Sequence, residues 1–230
     1  MSLLDRFLVR GTVARAEHGP SRFHRLTLTV PGPLPWKPGQ HIRVQVGGVP
    51  GPRRTYSVWA HEGRTLQLYV LDHDGAGPGA RWARAAAPGQ RVLFGRPEGG
   101  LVTRPGARHL FVGDETASVA FGPMMRSLHE EGATVRGLLE VGEEADRLPL
   151  PDGADLSWRY RHGAPAAASP TLLAALAGLS FPAGRDAVAY VAGEARTVQA
   201  VRGHLVRERG WERRAVVTKP FWCPGKRGLD

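Results

Sequence analysis

The sequence predicts two consecutive domains: a six-stranded antiparallel β-barrel over residues 1–104 and a doubly wound α/β domain over residues 105–230. Up to residue 104, short runs of alternating apolar and polar residues are separated by turns rich in glycine and proline, which is typical of a closed antiparallel barrel. After Pro105, strand-like runs alternate with helix-like runs, a pattern that favours a mostly parallel sheet with helices on both faces. The segment Arg104-Pro105-Gly106 separates the two patterns, so we expect the domain boundary there.

The barrel half contains six strand-like runs and one helix-like run. The predicted strands cover residues 8–13, 26–30, 42–46, 53–59, 66–70 and 92–94. Residues 79–87 are rich in alanine and are followed by Pro88, which predicts one short helix that ends before this proline.

The second half reads as alternating strands and helices. The predicted strands cover residues 109–112, 134–141, 156–160, 187–191 and 214–218, and the predicted helices begin near Thr116 or cover residues 170–178 and 194–209. Ser169 followed by Pro170 is a typical helix start, because a serine side chain caps free backbone N–H groups and proline suits the first turn. Gly210 is expected to end the last helix.

The composition narrows the classes of function. The formal net charge is +10, but the basic residues are scattered and no nucleic-acid-binding motif is present, which favours small anionic ligands over nucleic acid. The single cysteine, Cys223, excludes an internal disulfide and a multi-cysteine metal or iron–sulfur site. No apolar run is long enough to span a bilayer, and the N-terminus does not read as a signal peptide. We therefore expect a cytoplasmic protein without membrane association, and a monomer, since no heptad or exposed apolar stripe is evident.

The strand over residues 53–59 carries the first candidate site. On a strand, Arg54 and Tyr56 share one face while Thr55 and Ser57 share the other. A planar cation suits a phosphate and a phenol ring can lie against an aromatic ring system, so the pair suits a flavin nucleotide. The alternative interpretation is a surface strand with a solvated arginine and a half-buried tyrosine.

A glycine-rich turn forms the second candidate site, over residues 74–82. Gly77 and Gly79 allow close backbone approach, and the helix that follows presents free N–H groups and its positive dipole end, which together can hold a pyrophosphate. Trp82 can anchor this helix or touch the ligand. An ordinary loop that caps a short helix is the alternative.

Two acidic segments end predicted strands in the second half. Gly113-Asp114-Glu115-Thr116 and Gly193-Glu194 each lead from a strand into a helix, and ligands of parallel sheets lie beyond the carboxyl ends of the strands. Acidic residues suit a helix N-terminus but repel phosphate, so neither segment is an ordinary phosphate loop. Together they can flank a nicotinamide, or they can simply cap their helices.

The C-terminal segment is basic and aromatic. Trp222 and its aromatic neighbour can cover a flavin ring, and Lys219, Lys226 and Arg227 can meet an anion; a solvated basic tail is the alternative. Elsewhere, the histidines do not fall in metal-ligand spacings, so no metal site is expected, and the serines lack the context of a nucleophile elbow.

In their order, these motifs resemble the siderophore-interacting proteins, FAD-dependent ferric-siderophore reductases of the ferredoxin-reductase superfamily. Arg54-Thr55-Tyr56-Ser57 resembles the flavin motif of that family, and Gly113-Asp114-Glu115-Thr116-Ala117 matches the signature that opens its nicotinamide domain. Gly79 stands where the family commonly has alanine. The resemblance covers nearly the whole chain.

The resemblance implies a set of cofactor-binding residues. In the family, the arginine binds the FAD diphosphate, the tyrosine stacks near the isoalloxazine and the hydroxyl lies near N5, which gives Tyr56 and Ser57 catalytic roles. The implied FAD residues are Arg54, Thr55, Tyr56, Ser57, Tyr69, Val70, Leu71, His73, Gly77, Pro78, Gly79, Ala80 and Trp82, and the implied nicotinamide-side residues are Asp114, Glu115, Thr116, Gly193 and Glu194. Trp222 belongs to the final motif of the family and is a further implied cofactor-binding residue.

The implied activity is hydride transfer from NADPH or NADH to the flavin, followed by single-electron transfer to a ferric siderophore and release of Fe(II) in the cytoplasm. Lys219, Lys226 and Arg227 would attract an anionic chelate. Three alternatives stay open: a reductase of another acceptor such as flavodoxin, ferredoxin or quinone, a reductase that takes its electrons from ferredoxin, and a non-catalytic flavin- or siderophore-binding protein. The choice between the two nucleotides is also open: Glu140 disfavours a 2′-phosphate, whereas Arg147, Arg159 and Arg161 would welcome one.

Overall fold

The computed structural model describes residues 8–47, 51–73 and 77–226. Residues 74–76 and Arg227, which the sequence analysis singled out, lie outside the described residues. The chain divides into two compact units, Met1–Val102 and Thr103–Asp230.

The first unit is a closed barrel of six antiparallel strands, as the sequence predicted. The strands are β1 (Leu8–His18), β2 (Phe23–Thr29), β3 (His41–Gln45), β4 (Arg53–Glu62), β5 (Thr65–Leu71) and β6 (Arg91–Gly95), and they close in the order β1-β2-β5-β4-β3-β6. Helix α1 (Pro78–Arg84) lies between β5 and β6 in the chain and packs against β2 and β5.

The barrel core follows from the alternation along the strands. On β3, Ile42 and Val44 are fully buried while Arg43 between them is exposed, and β2 repeats this pattern with Leu26 and Leu28. Trp82 of α1 belongs to the same core cluster, so this short helix is held by burial of its aromatic residue in the barrel.

The second unit is a parallel five-stranded sheet covered by helices, again as predicted. Its strands are β7 (Arg108–Asp114), β8 (Thr134–Val141), β9 (Asp155–Tyr160), β10 (Ala187–Glu194) and β11 (Val216–Trp222), in the order β11-β10-β7-β8-β9. The helices are α2 (Glu115–Glu130), α3 (Pro170–Ala177) and α4 (Ala195–Gly203), and α4 continues into a π-helical turn over His204–Glu208.

The two faces of this sheet are covered by different helices. Leu110 and Val112 of β7 share a core cluster with Leu172 of α3 and Val198 of α4. Phe111 points to the opposite face, where its ring meets Phe121 of α2. Successive residues of β7 therefore face opposite sides of the sheet. Because helices cover both sides, the strand is buried on both faces.

Several bounds differ from the expectation: the first helix ends at Arg84 instead of residue 87, and the last helix ends at Gly203 before the π-helical turn. The predicted strand 214–218 begins only at Val216, because the Ala215 N–H donates to the Glu212 carbonyl and closes a 3-10 turn over Arg213–Ala215. The link between β8 and β9 holds a 3-10 turn, Glu144–Asp146, followed by Arg147, whose guanidinium lies 5.1 Å from the Trp158 ring centre and 5.0 Å from that of Tyr160. None of the helices in the described ranges combines the length and hydropathy that a membrane span needs.

Candidate functional site

In the first unit, the two predicted flavin segments lie in contact. The Tyr56 ring of β4 stacks on the Trp82 ring of α1, with centroids 5.6 Å apart and planes 27° apart. A Cβ atom placed on Gly79 would lie 2.5 Å from the Tyr56 hydroxyl oxygen and 3.2 Å from Cγ of Arg54. The glycine therefore makes room for the tyrosine, and the strand and the glycine-rich helix start form one surface.

The Tyr56 hydroxyl is a polar group without a partner. It is buried, and no atom of residues 8–47, 51–73 or 77–226 accepts or donates a hydrogen bond to it. Burial raises the pKa of Tyr56, and the nearby Arg54 guanidinium opposes this only in part, so the phenol stays neutral. A buried hydroxyl of this kind can supply one donor and two acceptor positions to a ligand.

Arg54 lies on the same face as Tyr56, as predicted. Its Nη1 atom donates to the carbonyl of Arg53 at 2.7 Å, and no carboxylate in the described part of the chain pairs with its guanidinium. A half-exposed guanidinium without an internal counter-ion suits a phosphate. Thr55 is exposed and Ser57 is half-buried on the opposite side of the strand, opposite Arg43 and His41 of β3.

Within the described residues, nothing covers the start of α1. Gly77 is the N-cap residue, Pro78 follows it, and no described side chain caps the first turn. A Cβ atom on Gly77 would meet no described atom within 4 Å. The first-turn N–H groups of a helix lack intrahelical acceptors, so Gly79 and Ala80 have the donors that the predicted pyrophosphate needs. Trp82 is buried in the barrel core and stacks on Tyr56, so it anchors the helix; its contact with a ligand stays a prediction.

Four further predicted cofactor-binding residues lie on β5 or just after it, and two of them are packed inside the protein. Val70 belongs to the barrel core, and Tyr69 meets Trp59 and Phe23 edge to face, with ring centres 5.0 Å and 6.1 Å away. Leu71 is half-buried and His73 is exposed. Their contact with a cofactor stays a prediction.

Sequence reasoning missed Asp72. Its carboxylate contacts Nε of Arg84 at 2.6 Å and Nε2 of His24 at 3.2 Å, and these partners lower the pKa of Asp72, the Arg84 hydrogen bond most of all. Asp72 thereby ties the end of β5 to the last turn of α1, while Trp82 holds the middle of the helix. The available sequence signal was an acidic residue just before a helix that ends in arginine.

In the second unit, Asp114 joins three strand ends. Its Oδ1 atom accepts from the backbone N–H of Thr116 at 2.9 Å and of Ala117 at 3.3 Å, and from the Thr116 hydroxyl at 2.5 Å, which caps α2. Its Oδ2 atom accepts from the backbone N–H of Glu194 at 2.9 Å and from the Trp222 indole N–H at 2.8 Å. The predicted residues Asp114, Thr116, Glu194 and Trp222 are therefore neighbours.

Gly193 lies against this carboxylate. Its φ is +120°, in the region that favours glycine, and a Cβ atom there would lie 2.5 Å from Oδ2 of Asp114. The space beside Gly193 is thus filled by the Asp114 carboxylate, and contact of Gly193 with a nicotinamide stays a prediction.

Glu115 belongs to a second buried cluster, which the sequence analysis did not foresee. Its two oxygens accept from Nη1 and Nη2 of Arg161 at 2.8 Å and 2.5 Å, and Nη1 also lies 3.4 Å from Glu140. Ser169 donates to the other oxygen of Glu140 at 2.5 Å. Glu140 and Arg161 are therefore engaged with each other, and neither has the free role toward a 2′-phosphate that the sequence suggested.

Glu194 caps the next helix. Its Oε2 atom accepts from the backbone N–H of Thr197 at 2.8 Å, from the Thr197 hydroxyl at 3.0 Å, and from the backbone N–H of Ala168 at 3.0 Å. Burial acts to raise the pKa of Glu194, but hydrogen bonds from Ala168, Arg196 and Thr197 outweigh it, so the pKa is lowered and the group is ionised. Glu194 thus caps α4 as Asp114 caps α2, and the Glu194 carboxylate is used for hydrogen bonds within the protein.

Asp114 has the opposite balance. Burial and then the Glu115 charge raise its pKa to about 6, although the hydrogen bonds from Thr116, Trp222 and Ala117 act against them.

Lys219 is half-buried and Lys226 is exposed, and neither pairs with a carboxylate in the described ranges. Their predicted contact with a substrate stays a prediction.

Comparison with known proteins places this chain among characterised families. Residues 106–225 match the family model of siderophore-interacting proteins, and residues 23–101 match that of the siderophore-interacting FAD-binding domain. The chain is 28% identical over 180 residues to the ferric vibriobactin reductase ViuB of Vibrio cholerae serotype O1, an alignment that covers 75% of this chain and 65% of that protein. The chain therefore spans less than two thirds of the length of the curated relative that it matches.

Solved structures agree on the fold. The siderophore-interacting protein from Acinetobacter baumannii superposes with a TM-score of 0.83 at 17% identity, covering 96% of this chain and 92% of that one. The ferredoxin reductase in carbazole 1,9a-dioxygenase superposes with a TM-score of 0.79 at 16% identity, covering 93% and 68%. The fold is that of the ferredoxin reductases, and the family match extends over more than half of the sequence, so the chain belongs to the siderophore-interacting protein family.

Proposed function

We propose that this chain is an FAD-dependent ferric-siderophore reductase that takes electrons from NADPH or NADH. The observation that carries the proposal is the contact of Tyr56 with Gly79, which joins the tyrosine strand to the open helix start inside the family's FAD-binding domain. The similarity to a ferric vibriobactin reductase supports the substrate class.

In this proposal, the first unit holds FAD by groups that the protein leaves unpaired. Arg54 provides a guanidinium without an internal carboxylate partner in the described residues, and the start of α1 provides backbone donors, so both suit the diphosphate. Tyr56 provides a flat ring and a neutral hydroxyl, and Thr55 and Ser57 provide further hydroxyls. When bound, FAD supplies the ability to accept two electrons from a nicotinamide and return them singly.

In the second unit, we assign nucleotide binding to the carboxyl edge of the sheet. Asp114 and Glu194 end the adjacent strands β7 and β10, at the edge where ligands of parallel sheets bind. Both oxygens of Asp114 and Oε2 of Glu194 accept protein hydrogen bonds, so these acids shape the edge; Asp114 also holds Trp222, and Thr116 completes the cap. The exposed Arg159 keeps a charge available to a 2′-phosphate, since Glu140 is occupied by Ser169 and Arg161.

The substrate is an iron chelate, and the protein needs no iron ligands of its own for its reduction. A chelator with hard oxygen donors binds Fe(III) more tightly than Fe(II), so one-electron reduction loosens the metal. We assign the attraction of an anionic chelate to Lys219, Lys226 and Arg227, of which Lys219 lies in the middle of β11 and Lys226 follows the strand.

An anaerobic absorption experiment tests this proposal. The protein is loaded with FAD, NADPH or NADH is added in separate samples, and a ferric siderophore or the same chelator without iron follows. Bleaching by a nucleotide and recovery only with the ferric chelate support the reductase. Bleaching by reduced ferredoxin alone identifies a different donor, recovery only with another acceptor identifies a different substrate, and failure to bind FAD overturns the proposal.

A further inference from the structure

The side chain of Trp222 is hydrogen-bonded to a carboxylate. Its side chain is only half-buried, and its indole N–H donates to Oδ2 of Asp114 at 2.8 Å. We propose that Asp114 is a positioning residue that sets the orientation of the Trp222 ring at the carboxyl edge of the sheet, and through it the fit of the nicotinamide. The second half of this statement rests on the proposed function; the first half does not.

An irregularity in the sheet aims Trp222 at Asp114. Strands β10 and β11 pair in regular parallel register up to Gly193 and Pro220, but Glu194 then pairs with Trp222 instead of Phe221. The extra residue on β11 is a β-bulge, and a bulge redirects the side chain that follows it. In a regular register, Phe221 would lie opposite Glu194 and Trp222 would be one position further along.

The two oxygens of Asp114 have separate functions. Oδ1 accepts all three donors of the α2 cap, from Thr116 and Ala117, whereas Oδ2 accepts only from Glu194 and Trp222. A cap needs only one acceptor oxygen, which is why helix capping alone does not account for the second set of bonds. Gly193 keeps Oδ2 accessible, since any side chain there would occupy the same space.

The charges that face Asp114 make its bond to Trp222 sensitive to protons. Glu115 of α2, Glu140 of β8 and Glu194 of β10 contribute negative charge around it, and Arg161 after β9 contributes the positive charge. Burial and Glu115 raise the pKa of Asp114 to about 6. A hydrogen bond to an ionised acceptor is stronger than one to a neutral acceptor, so protonation weakens the hold on Trp222.

The variant Asp114→Asn separates these functions. The asparagine oxygen can keep the α2 cap, while its NH₂ group then faces the N–H groups of Glu194 and Trp222 and cannot accept from them. Trp222→Phe removes the donor and leaves Asp114 and its cap unchanged. Comparison of wild type with Trp222→Phe also identifies the Trp222 indole signal among those of the six tryptophans.

The first measurement is the indole ¹H–¹⁵N resonance of Trp222 in the FAD-loaded full chain. We expect a downfield proton shift that decreases as the pH falls, with a midpoint near 6, and that is absent in Asp114→Asn at every pH. Neither readout needs a nucleotide, and the wild-type titration needs only Trp222→Phe to fold, since that variant identifies the signal. A Trp222 resonance that neither titrates nor moves in Asp114→Asn overturns the proposal.

The second measurement is the rate at which NADPH or NADH bleaches the flavin in wild type, both single variants and the double variant. Because Asp114 acts through Trp222, each single change should slow bleaching about tenfold, and the double variant should be no slower than Trp222→Phe. An Asp114→Asn effect that is equally large without Trp222 overturns the positioning function. If neither nucleotide bleaches the wild-type flavin, the proposed function fails, and the indole resonance still decides whether Asp114 holds Trp222.

Discussion

Gly79 and Tyr56 share a space that only a glycine leaves free: a Cβ atom at position 79 would lie 2.5 Å from the Tyr56 hydroxyl oxygen. This contact fixes where the phenol ring rests, on Trp82 and against the first turn of α1. The position of the tyrosine ring therefore depends on the absence of a side chain at position 79.

We predict that Gly79→Ala displaces Tyr56 from Trp82. The added methyl group would overlap the Tyr56 hydroxyl. Arg54 Cγ, 3.2 Å from the same point, limits the positions to which the tyrosine can move. The near-ultraviolet circular dichroism of the stacked pair should decrease, and the FAD dissociation constant should change by about tenfold. Gly77→Ala is the matched control for the circular dichroism, because a Cβ atom there meets no atom of the described residues within 4 Å. Equal spectra for wild type and Gly79→Ala would contradict the importance of this contact.

We predict that Tyr56→Phe changes the stability of the FAD-free protein, whereas Tyr56→Ala changes its affinity for FAD. Removing an unpartnered buried hydroxyl should raise the free energy of unfolding of the FAD-free protein by about 1 kcal/mol, because the Tyr56 oxygen has no hydrogen bond in the described structure. Tyr56→Ala removes the ring that stacks on Trp82 and should weaken FAD binding more than tenfold. Urea unfolding and FAD fluorescence titration measure the two effects. Wild-type FAD affinity in Tyr56→Ala would remove Tyr56 from the site.

The sequence predicted the fold of both units, for physical reasons that individual residues show. Alternation in Ile42-Arg43-Val44 and continuous burial in β10 reflect one-sided and two-sided packing of strands, which any local reading detects. The start of α3 was predictable because Ser169 and Pro170 act within one turn.

The arrangement around Arg161 could not be predicted in the same way. Arg161 is 46 positions from Glu115 and 21 from Glu140, so their contact depends on the order of the strands. From sequence, an arginine near a strand end looks available to a phosphate, whereas burial between two carboxylates makes it an internal counter-ion. Asp72 was missed for the same reason, since its partners His24 and Arg84 become neighbours only when the barrel closes.

We predict that Arg161→Gln lowers the free energy of unfolding by about 3–5 kcal/mol, because it leaves Glu115 and Glu140 buried without a positive charge. Urea unfolding at neutral pH measures this loss. Arg136→Gln is the control, since its partner Asp155 is exposed, and its loss should be clearly smaller. Equal losses for the two variants would contradict the prediction.

We predict that Gly193→Ala destabilises the second unit for two separable reasons. The backbone at φ +120° is strained for any side chain, and the Cβ atom would displace Asp114 Oδ2, which lies 2.5 Å from its position. Gly210→Ala also has a positive φ, +69°, but meets no neighbour within 4 Å, so it measures strain without crowding. In thermal unfolding, Gly193→Ala should lower the midpoint more than Gly210→Ala does. It should also shift the Trp222 indole resonance, which Gly210→Ala should leave in place.

The last prediction concerns the pH dependence of stability that Asp114 contributes. Its pKa is about 6 in the folded protein against an ordinary value of 3.8, so the folded state binds a proton that the unfolded state releases between these values. Stability from this group is therefore fully present below pH 3.8 and is lost as the pH rises through 6. The loss is on the order of 2–3 kcal/mol. The difference in free energy of unfolding between wild type and Asp114→Asn should fall by this amount across that range, which denaturant unfolding at closely spaced pH values measures. A difference that is constant with pH would show that the pKa of Asp114 is the same in the folded and unfolded states. A positive charge besides that of Arg161 would then have to offset the burial of Asp114 and its position beside Glu115.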